Sequence, residues 1–353
     1  MAQIQEAELI WKDGKLIPWA EATTHVLTHS LHYGNAVFEG VRAYKTDKGY
    51  AIFRLDEHTR RLEISAKLCL IKLPFSFEQL RQAQIDVVAK NRFDQTVYIR
   101  PLAYFGYGSM GVSSKDCSVN VIVAAWQWGA YMGEEALRKG IKAKISSWIK
   151  PAQFSMMAKA KASANYFNSQ MANFEAVDAG YDEAILLDPQ GFVAEGPGEC
   201  LFIVKDGLII TPPNDTSLES ITQNSVIEIA RSLGYEVRRE RIARDQLYAA
   251  DEAFFTGTAA EVTPISNIDG RIIGKGEMGE ITSRLQKAQS THHVRFRKDK
   301  RVFNTSIHVT FGSKVNDSID MIFSEEGFHT LVVANIRLYK GIVRGIGYIG
   351  NVF

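Results

Sequence analysis

Residues 157–167, MAKAKASANYF, carry the side chains best suited to covalent chemistry: Lys159 and Lys161 two apart, then three small residues, then Asn165 and Tyr166 opening an amphipathic run. Read as a strand, positions i and i+2 face the same way, so facing does not separate the two lysines. Lys161 is the better placed, because Ala162, Ser163 and Ala164 leave open space beside it. An amine in a partly desolvated pocket is what Schiff-base chemistry requires. On this stretch alone two solvated lysines are the more ordinary reading, since most lysines lie on the surface.

Other charged groups stand in places where charge needs a reason. Glu195, in VAEGPGECLFIV, lies between apolar stretches and beside Gly196, Pro197 and Gly198. A carboxylate there could hold a heteroaromatic nitrogen protonated by an ion pair, although a solvated turn glutamate is the commoner case. Arg61, in DEHTRRLEISAKL, adjoins Leu62 and is better placed than Arg60 to point inward at a phosphate. Arg100 interrupts the apolar strand VYIRPLAYF. It needs an anion, either a structural Asp or Glu or a ligand carboxylate. Two turns offer backbone N–H groups: residues 218–222, where Thr222 is the expected N-cap of the helix TQNSVIEIARSLGY, and residues 256–260, TGTAA, after the strand EAFF. Simple capping and an ordinary turn are the plain alternatives.

The elements that must position these groups read as α+β. Asp13-Gly14, Asp206-Gly207 and Asp269-Gly270 each separate apolar residues and predict tight antiparallel hairpins. Helical periodicity covers 56–69, 76–91, 165–179, 222–233 and about 277–287, with Phe167, Met171 and Phe174 expected on one buried face. There is no βαβ rhythm, so helices packed on largely antiparallel sheets are expected rather than a doubly wound fold. A seam after SVNVIVAAWQW predicts a smaller N-terminal domain at 1–128, a connecting loop at 129–134 and a larger domain at 135–288, with the ligand cleft between them.

With 353 residues, 46% hydrophobic and 23% charged, the composition is that of an ordinary globular protein, and a net charge of +1 gives no reason to invoke nucleic acid or a membrane surface. Cys69, Cys117 and Cys200 match no metal or redox spacing, so no metal and a reducing compartment are expected. The opening MAQIQEAELIW lacks a basic stretch before an apolar core, and no apolar run is long enough to span a bilayer; the expected location is the cytoplasm.

Seven segments occur together and in order: HSLHYGNAVFEGVRAY (29–44), FRLDEHTRRL (53–62), YIRPL (98–102), WGAYMG (128–133), KASANY (161–166), EGPGECLF (195–202) and TGTAAEVTP (256–264). Over about residues 5–288 the sequence resembles the branched-chain-amino-acid aminotransferases, pyridoxal-phosphate enzymes of fold type IV. The resemblance implies a two-domain fold of that type, with the larger domain binding the cofactor. It implies that Lys161 bonds pyridoxal phosphate and carries the substrate proton, that Glu195 pairs with the pyridine nitrogen and that Tyr166 bonds the cofactor O3′. Arg61, the amides of Ile221 and Thr222, and Thr258 match the phosphate site, and Leu218 the residue packed on the ring. Tyr98 with the amides of Thr258 and Ala259 matches the α-carboxylate site. Phe38, Tyr131 and Tyr166 match the side-chain pocket, Arg100 the arginine that takes the γ-carboxylate of 2-oxoglutarate, and Arg42 a support for that edge. Tyr33 and Val112 resemble residues supplied by a neighbouring subunit, which implies a homodimer or larger homo-oligomer. The implied reaction moves the amino group of L-leucine, L-isoleucine or L-valine to 2-oxoglutarate, giving branched-chain 2-oxo acids and L-glutamate.

Three departures accompany the matches. Ser220 and Gln223 stand where the family has glycine and arginine, so a less open phosphate turn and a less basic helix start are expected; Cys200 replaces a common asparagine. Beyond about residue 289 the pattern stops. Residues 287–353 carry ten Lys or Arg against five Asp or Glu; stretches such as SIHVTF and TLVVANI read as strands, and the tail is expected to stand apart from catalysis. A D-amino-acid aminotransferase, an aminodeoxychorismate lyase, or an inactive cofactor-binding relic are the competing readings.

Overall fold

Three Asp-Gly pairs turn the chain back on itself. At Asp13-Gly14, Asp206-Gly207 and Asp269-Gly270 both residues have positive φ (47° and 94°, 49° and 79°, 49° and 80°), the left-handed pair that a two-residue hairpin turn needs. The flanking strands pair antiparallel as the sequence predicts: Leu9–Lys12 with Lys15–Pro18, Cys200–Lys205 with Leu208–Thr211, and Glu261–Ile268 with Arg271–Ile272. The computed structural model describes residues 4–46, 49–129, 132–294, 307–311, 315–322 and 331–335.

The strands gather into two sheets. Across the first, Gly49–Phe53, Val41–Thr46, Val97–Phe105, Val119–Gln127, Leu9–Lys12 and Lys15–Pro18 follow one another, and Ala36–Phe38 also pairs with Val97–Phe105. The tail adds Ile307–Phe311, Val315–Ile322 and Leu331–Asn335, the last of these running parallel to Gly49–Phe53. The second sheet runs Val193–Glu195, Glu183–Leu187, Ile141–Ile149, Glu261–Ile268, Glu252–Gly257, Cys200–Lys205, Leu208–Thr211 and Val237–Arg239. Most pairs are antiparallel, and Ile141–Ile149 is parallel to both its neighbours. This is the α+β arrangement that the pattern predicts.

Helices Leu55–Leu68 and Phe77–Lys90 supply Leu55, Leu62, Ala66, Leu80 and Val87 to a core shared with Val37, Val41, Ile52 and Ile99 of the first sheet. Phe77–Lys90 begins in a capping box formed by Ser76 and Gln79. On the second sheet, Val226, Ile229 and Ala230 of Ile221–Ser232 and Leu285 of Glu280–Val294 close over the stacked rings of Phe202 and Phe254. The last helix runs past the expected 287 to Val294, and short helices His29–Tyr33, Glu134–Lys139 and Arg244–Tyr248 escaped the periodicity.

Helix Asn165–Asp178 corrects an expectation. Phe167 and Phe174 point outward, 66% and 56% exposed, while Ser169, Ala172 and Ala176 are buried. The helix lies on strands Ile141–Ile149 and Glu183–Leu187, and Ala172 and Ala176 meet Ala184 and Leu186 there. Close approach to a sheet selects small residues over large ones.

The strand facing Val97–Phe105 is interrupted where the site needs room. Ala36–Phe38 pairs with Leu102 to Tyr104 and Val41–Thr46 with Val97 to Ile99, leaving Glu39 and Gly40 opposite Arg100 and Pro101. Proline has no N–H to give the ladder, and the Pro101 carbonyl accepts the Glu39 N–H instead at 2.9 Å. A Cβ on Gly40 would stand 1.9 Å from the Tyr98 hydroxyl oxygen, so glycine is what lets that phenol pass.

Replacing Ala172 with leucine forces extra methylenes between helix Asn165–Asp178 and the sheet. The expected loss is about 1–3 kcal/mol, read as a lower denaturation midpoint, whereas Phe174→Ala should leave the midpoint of the monomeric chain nearly unchanged.

Candidate active site

A cavity of about 490 Å³, in the size range of small-molecule sites, gathers residues from both sheets. Phe38, Arg61, Tyr98, Arg100, Lys161, Tyr166, Glu195, Leu218, Thr258 and Ala259, all singled out in the sequence, line it. Arg42, Ile221 and Thr222 stand behind its walls, Tyr33 and Val112 lie elsewhere on the surface, and Tyr131 falls outside the described residues.

Lys161 does not sit on a strand. Residues 151–160 pass through turns, and Ala162 makes a single bridge to Val37. The Lys161 carbonyl accepts from Phe38 N at 3.0 Å, Ser163 N donates to the Ala36 carbonyl at 2.8 Å, and Lys161 N donates to Ser65 Oγ at 3.0 Å. Held on three sides, the residue sends its side chain into the cavity, where Nζ donates to Tyr166 Oη at 2.7 Å and lies 5.1 Å from the Phe38 ring centroid. Lys159 turns the other way and bonds the Asn214 carbonyl on the surface. Burial works hardest against the charge on Lys161, but Tyr166, Glu39 and Tyr98 together outweigh it, so the amine titrates above the ordinary lysine range. Tyr166 is therefore the group through which that proton is held.

Arg61 is fixed by a carboxylate that sequence reasoning missed. Glu39 is fully buried and accepts from Arg61 Nε at 2.6 Å and Nη2 at 2.8 Å, a bidentate pair. His58 Nδ1 stands 2.8 Å from the same carboxylate. Burial pushes the Glu39 carboxyl up, but Arg61 and then His58 outweigh it and hold it well below the usual range. Burial also lowers His58, so the ring is neutral at pH 7 and donates through Nδ1. Arg61 Nη1 reaches the Glu219 carbonyl at 2.8 Å, tying the guanidinium to the turn before helix Ile221–Ser232. The signal for Glu39 was a lone acid inside the apolar run AVFEGV.

That helix is capped by Ser220, not by Thr222: Ser220 Oγ accepts from Gln223 N at 3.1 Å, and Ile221 and Thr222 are buried in the first turn. The hydroxyl that replaces a glycine is thus used as the cap. The start of the helix is not without a cation either, because Gln223 Oε1 and Asn224 Oδ1 each accept from Arg239 at 3.0 Å.

Arg42 organises the opposite wall. It is buried, and donates to the carbonyls of Thr258 at 2.7 Å, Ala259 at 2.8 Å, and Trp128 and Gly129 at 3.3 Å. Binding those carbonyls from behind fixes the orientation of the Thr258 and Ala259 peptides at the cavity wall. Arg100 is different. Its guanidinium lies 4.6 Å from the Phe38 ring centroid and 5.3 Å from that of Tyr98, and Nη2 donates to Tyr98 Oη at 3.2 Å. Among the described residues no carboxylate pairs with it, and its buried Nε has no partner.

On the remaining wall Glu195 meets Lys150 Nζ at 2.7 Å, and Glu199 lies buried beside them. Burial, and next the charge of Glu183, pushes the Glu199 carboxyl up to about 8, so it is protonated at neutral pH. Cys200 is buried and its thiol is likewise pushed up to about 12, which leaves it inert. Lys150 and Glu199 gave no sequence signal beyond being charged residues near apolar strands.

Known proteins share this fold and much of this sequence. Residues 36–268 match the family described as amino-transferase class IV. The branched-chain-amino-acid aminotransferase of Pseudomonas aeruginosa is 50% identical over 288 residues, covering 82% of this chain and 94% of that protein. The Escherichia coli K12 protein of the same name is 44% identical over 286 residues, 80% of this chain and 92% of its own length. Among solved structures, a T.th. branched-chain amino acid aminotransferase with pyridoxamine 5'-phosphate superposes with a TM-score of 0.80 at 52% identity, over 84% of this chain and 96% of that one.

Glu39→Gln breaks a buried ion pair from one side, and the expected loss is about 3–5 kcal/mol. The sign with pH follows from its lowered carboxyl: the stability it adds is present above the ordinary glutamate value of about 4.3 and lost on acidification. Denaturation between pH 7 and pH 3 should therefore show the full gap between the two proteins at neutral pH and a gap that narrows, without closing, toward pH 3.

Proposed function

The chain belongs to the amino-transferase class IV family, and we propose that its cavity moves an amino group from L-leucine, L-isoleucine or L-valine to 2-oxoglutarate with pyridoxal 5'-phosphate as cofactor. The observation that carries this reading is a pair of cations, Lys161 and Arg100, which face one cavity and form no salt bridge with a carboxylate among the described residues.

The donor set fits that cofactor. An aldehyde needs the Lys161 amine, a pyridine nitrogen needs the Glu195 carboxylate, and a phosphate needs Arg61 with the N–H groups and hydroxyls around Ser220 and Thr258; all of these except the amides of Ile221 and Thr222 belong to lining residues. When bound, pyridoxal phosphate supplies the aldehyde that accepts the amino group and the ring that takes up the electrons of the broken Cα–H bond. The protein's own tasks are to hold, align and move a proton. With the cofactor bound, Lys161 would be the base that takes the substrate α-proton and the acid that gives it back, with Tyr166 keeping the amine aligned. Leu218 would pack on the ring and Glu195 would keep its nitrogen charged. Tyr98 and the amides of Thr258 and Ala259 hold the α-carboxylate, which fixes the bond to be broken.

Two unlike side chains must share the remaining space. Phe38, Tyr98 and Trp128 form an apolar wall for a branched aliphatic group, and Arg100 at its edge is the partner for the second carboxylate of 2-oxoglutarate or L-glutamate.

A homo-oligomer is part of the same reading. Tyr33 and Val112, 41% and 93% exposed, lie among exposed Leu31, Tyr107 and Met110, and Gly111 N donates to Tyr33 Oη at 3.0 Å; a second copy of the chain would cover such a surface and bring both residues to its own cavity mouth. A cytoplasmic location suits three unpaired cysteines; no helix among the described residues is long and apolar enough to cross a membrane. The two sheets support a boundary near 129–134. The match to the family model ends at residue 268, and we place residues 289–353 outside catalysis.

Arg100→Met gives the sharpest test. The KM for 2-oxoglutarate should rise at least tenfold while the half-reaction with L-leucine changes little, and D-alanine should remain a poor donor to both proteins. Equal losses toward both partners, or preference for D-alanine, would overturn the reading.

A further inference from the structure

Lys150 is a lysine that the fold has no packing reason to bury. It follows strand Ile141–Ile149, its N–H donates to the Leu187 carbonyl at 2.8 Å, and it is only 9% exposed. A buried ammonium is costly unless it meets an anion, and the anion here is Glu195, 2.7 Å from Nζ. Both side chains line the cavity. Strand Ile141–Ile149, which Lys150 follows, and strand Val193–Glu195 flank Glu183–Leu187, and both pairings slip register close to the two residues, between Ile145 and Ile149 on one side and between Val193 and Glu195 on the other. Irregularities of this kind re-aim side chains beside functional sites.

We propose that Lys150 is a positioning residue for the cofactor: it clamps Oε1 of Glu195 so that the other carboxylate oxygen faces the pyridine nitrogen, and it supplies the counter-charge that leaves the proton on that nitrogen. This rests on the reading of Glu195 as the nitrogen's partner. The neighbourhood explains why a clamp is needed. Glu199 sits on the same wall, buried, its Oε2 accepting from Gly198 N at 3.0 Å, and no cation forms a salt bridge to it among the described residues. Its carboxyl keeps a proton at neutral pH because burial pushes it up to about 8. Without Lys150, two carboxyls would share the wall with no paired cation, and a proton between them and the ring would move to a carboxyl. Lys150 thus determines which oxygen of Glu195 is left free to face the ring.

The test uses the full-length chain reconstituted with pyridoxal 5'-phosphate labelled with 15N in the ring, and reads the ring-nitrogen chemical shift and the rate of cofactor release. Wild type should give a protonated nitrogen at pH 7. Lys150→Met should shift it toward the unprotonated value and speed release at least tenfold, Lys150→Arg should restore both, and Glu195→Gln should give the unprotonated nitrogen outright. If Lys150→Met is poorly folded, Lys150→Gln replaces it with the same expectations. A wild-type shift in the lysine variants, with Glu195→Gln still altered, would overturn the role of Lys150. A wild-type shift in Glu195→Gln would instead overturn the assignment of Glu195 itself.

Discussion

Four cations converge on one cavity, and the protein neutralises two of them. Arg61 has Glu39 and Lys150 has Glu195; Lys161 and Arg100 meet phenol oxygens and ring faces instead. Charge held against aromatic rings and away from bulk water interacts strongly with whatever anion arrives, because little solvent screens it. The cavity thereby leaves one amine and one guanidinium, both against the Phe38 ring, without a paired carboxylate among the described residues. Every other feature of the site can be understood as arranging those two unanswered charges.

The arrangement depends on interruptions in otherwise regular sheets. The gap at Glu39-Gly40 turns one acid toward helix Leu55–Leu68 and makes room for the Tyr98 hydroxyl. The turns before Ala162 let Lys161 leave the direction that a strand would have imposed. Arg42 holds four carbonyls from two loops and so ties the first sheet to the turn at Thr258 and Ala259. Rigid elements carry the core, and the irregular joints carry the chemistry, as expected where exact placement of a few groups matters more than regular pairing.

Much of this was legible in the residues, and what was not has a physical cause. Local rules found the Asp-Gly hairpins, because the turn demands positive φ at both positions. Arg100 announced itself, since an arginine in an apolar strand must be answered. The partners of buried charges were hidden, because they are separated along the chain: Glu39 from Arg61 by 22 positions and Arg42 from Thr258 by 216. Phe167 and Phe174 misled because periodicity marks a large apolar stripe as buried, whereas here the sheet selects the small one. Thr222 misled because the residue before the first turn, Ser220, caps just as well.

A single amine decides whether the cavity works as described. Incubating the protein with pyridoxal 5'-phosphate, reducing with borohydride and sequencing the modified peptide by mass spectrometry locates it directly. The phosphopyridoxyl group should be found on Lys161. Its recovery on Lys159 or Lys150, or on no lysine at all, would contradict the site described.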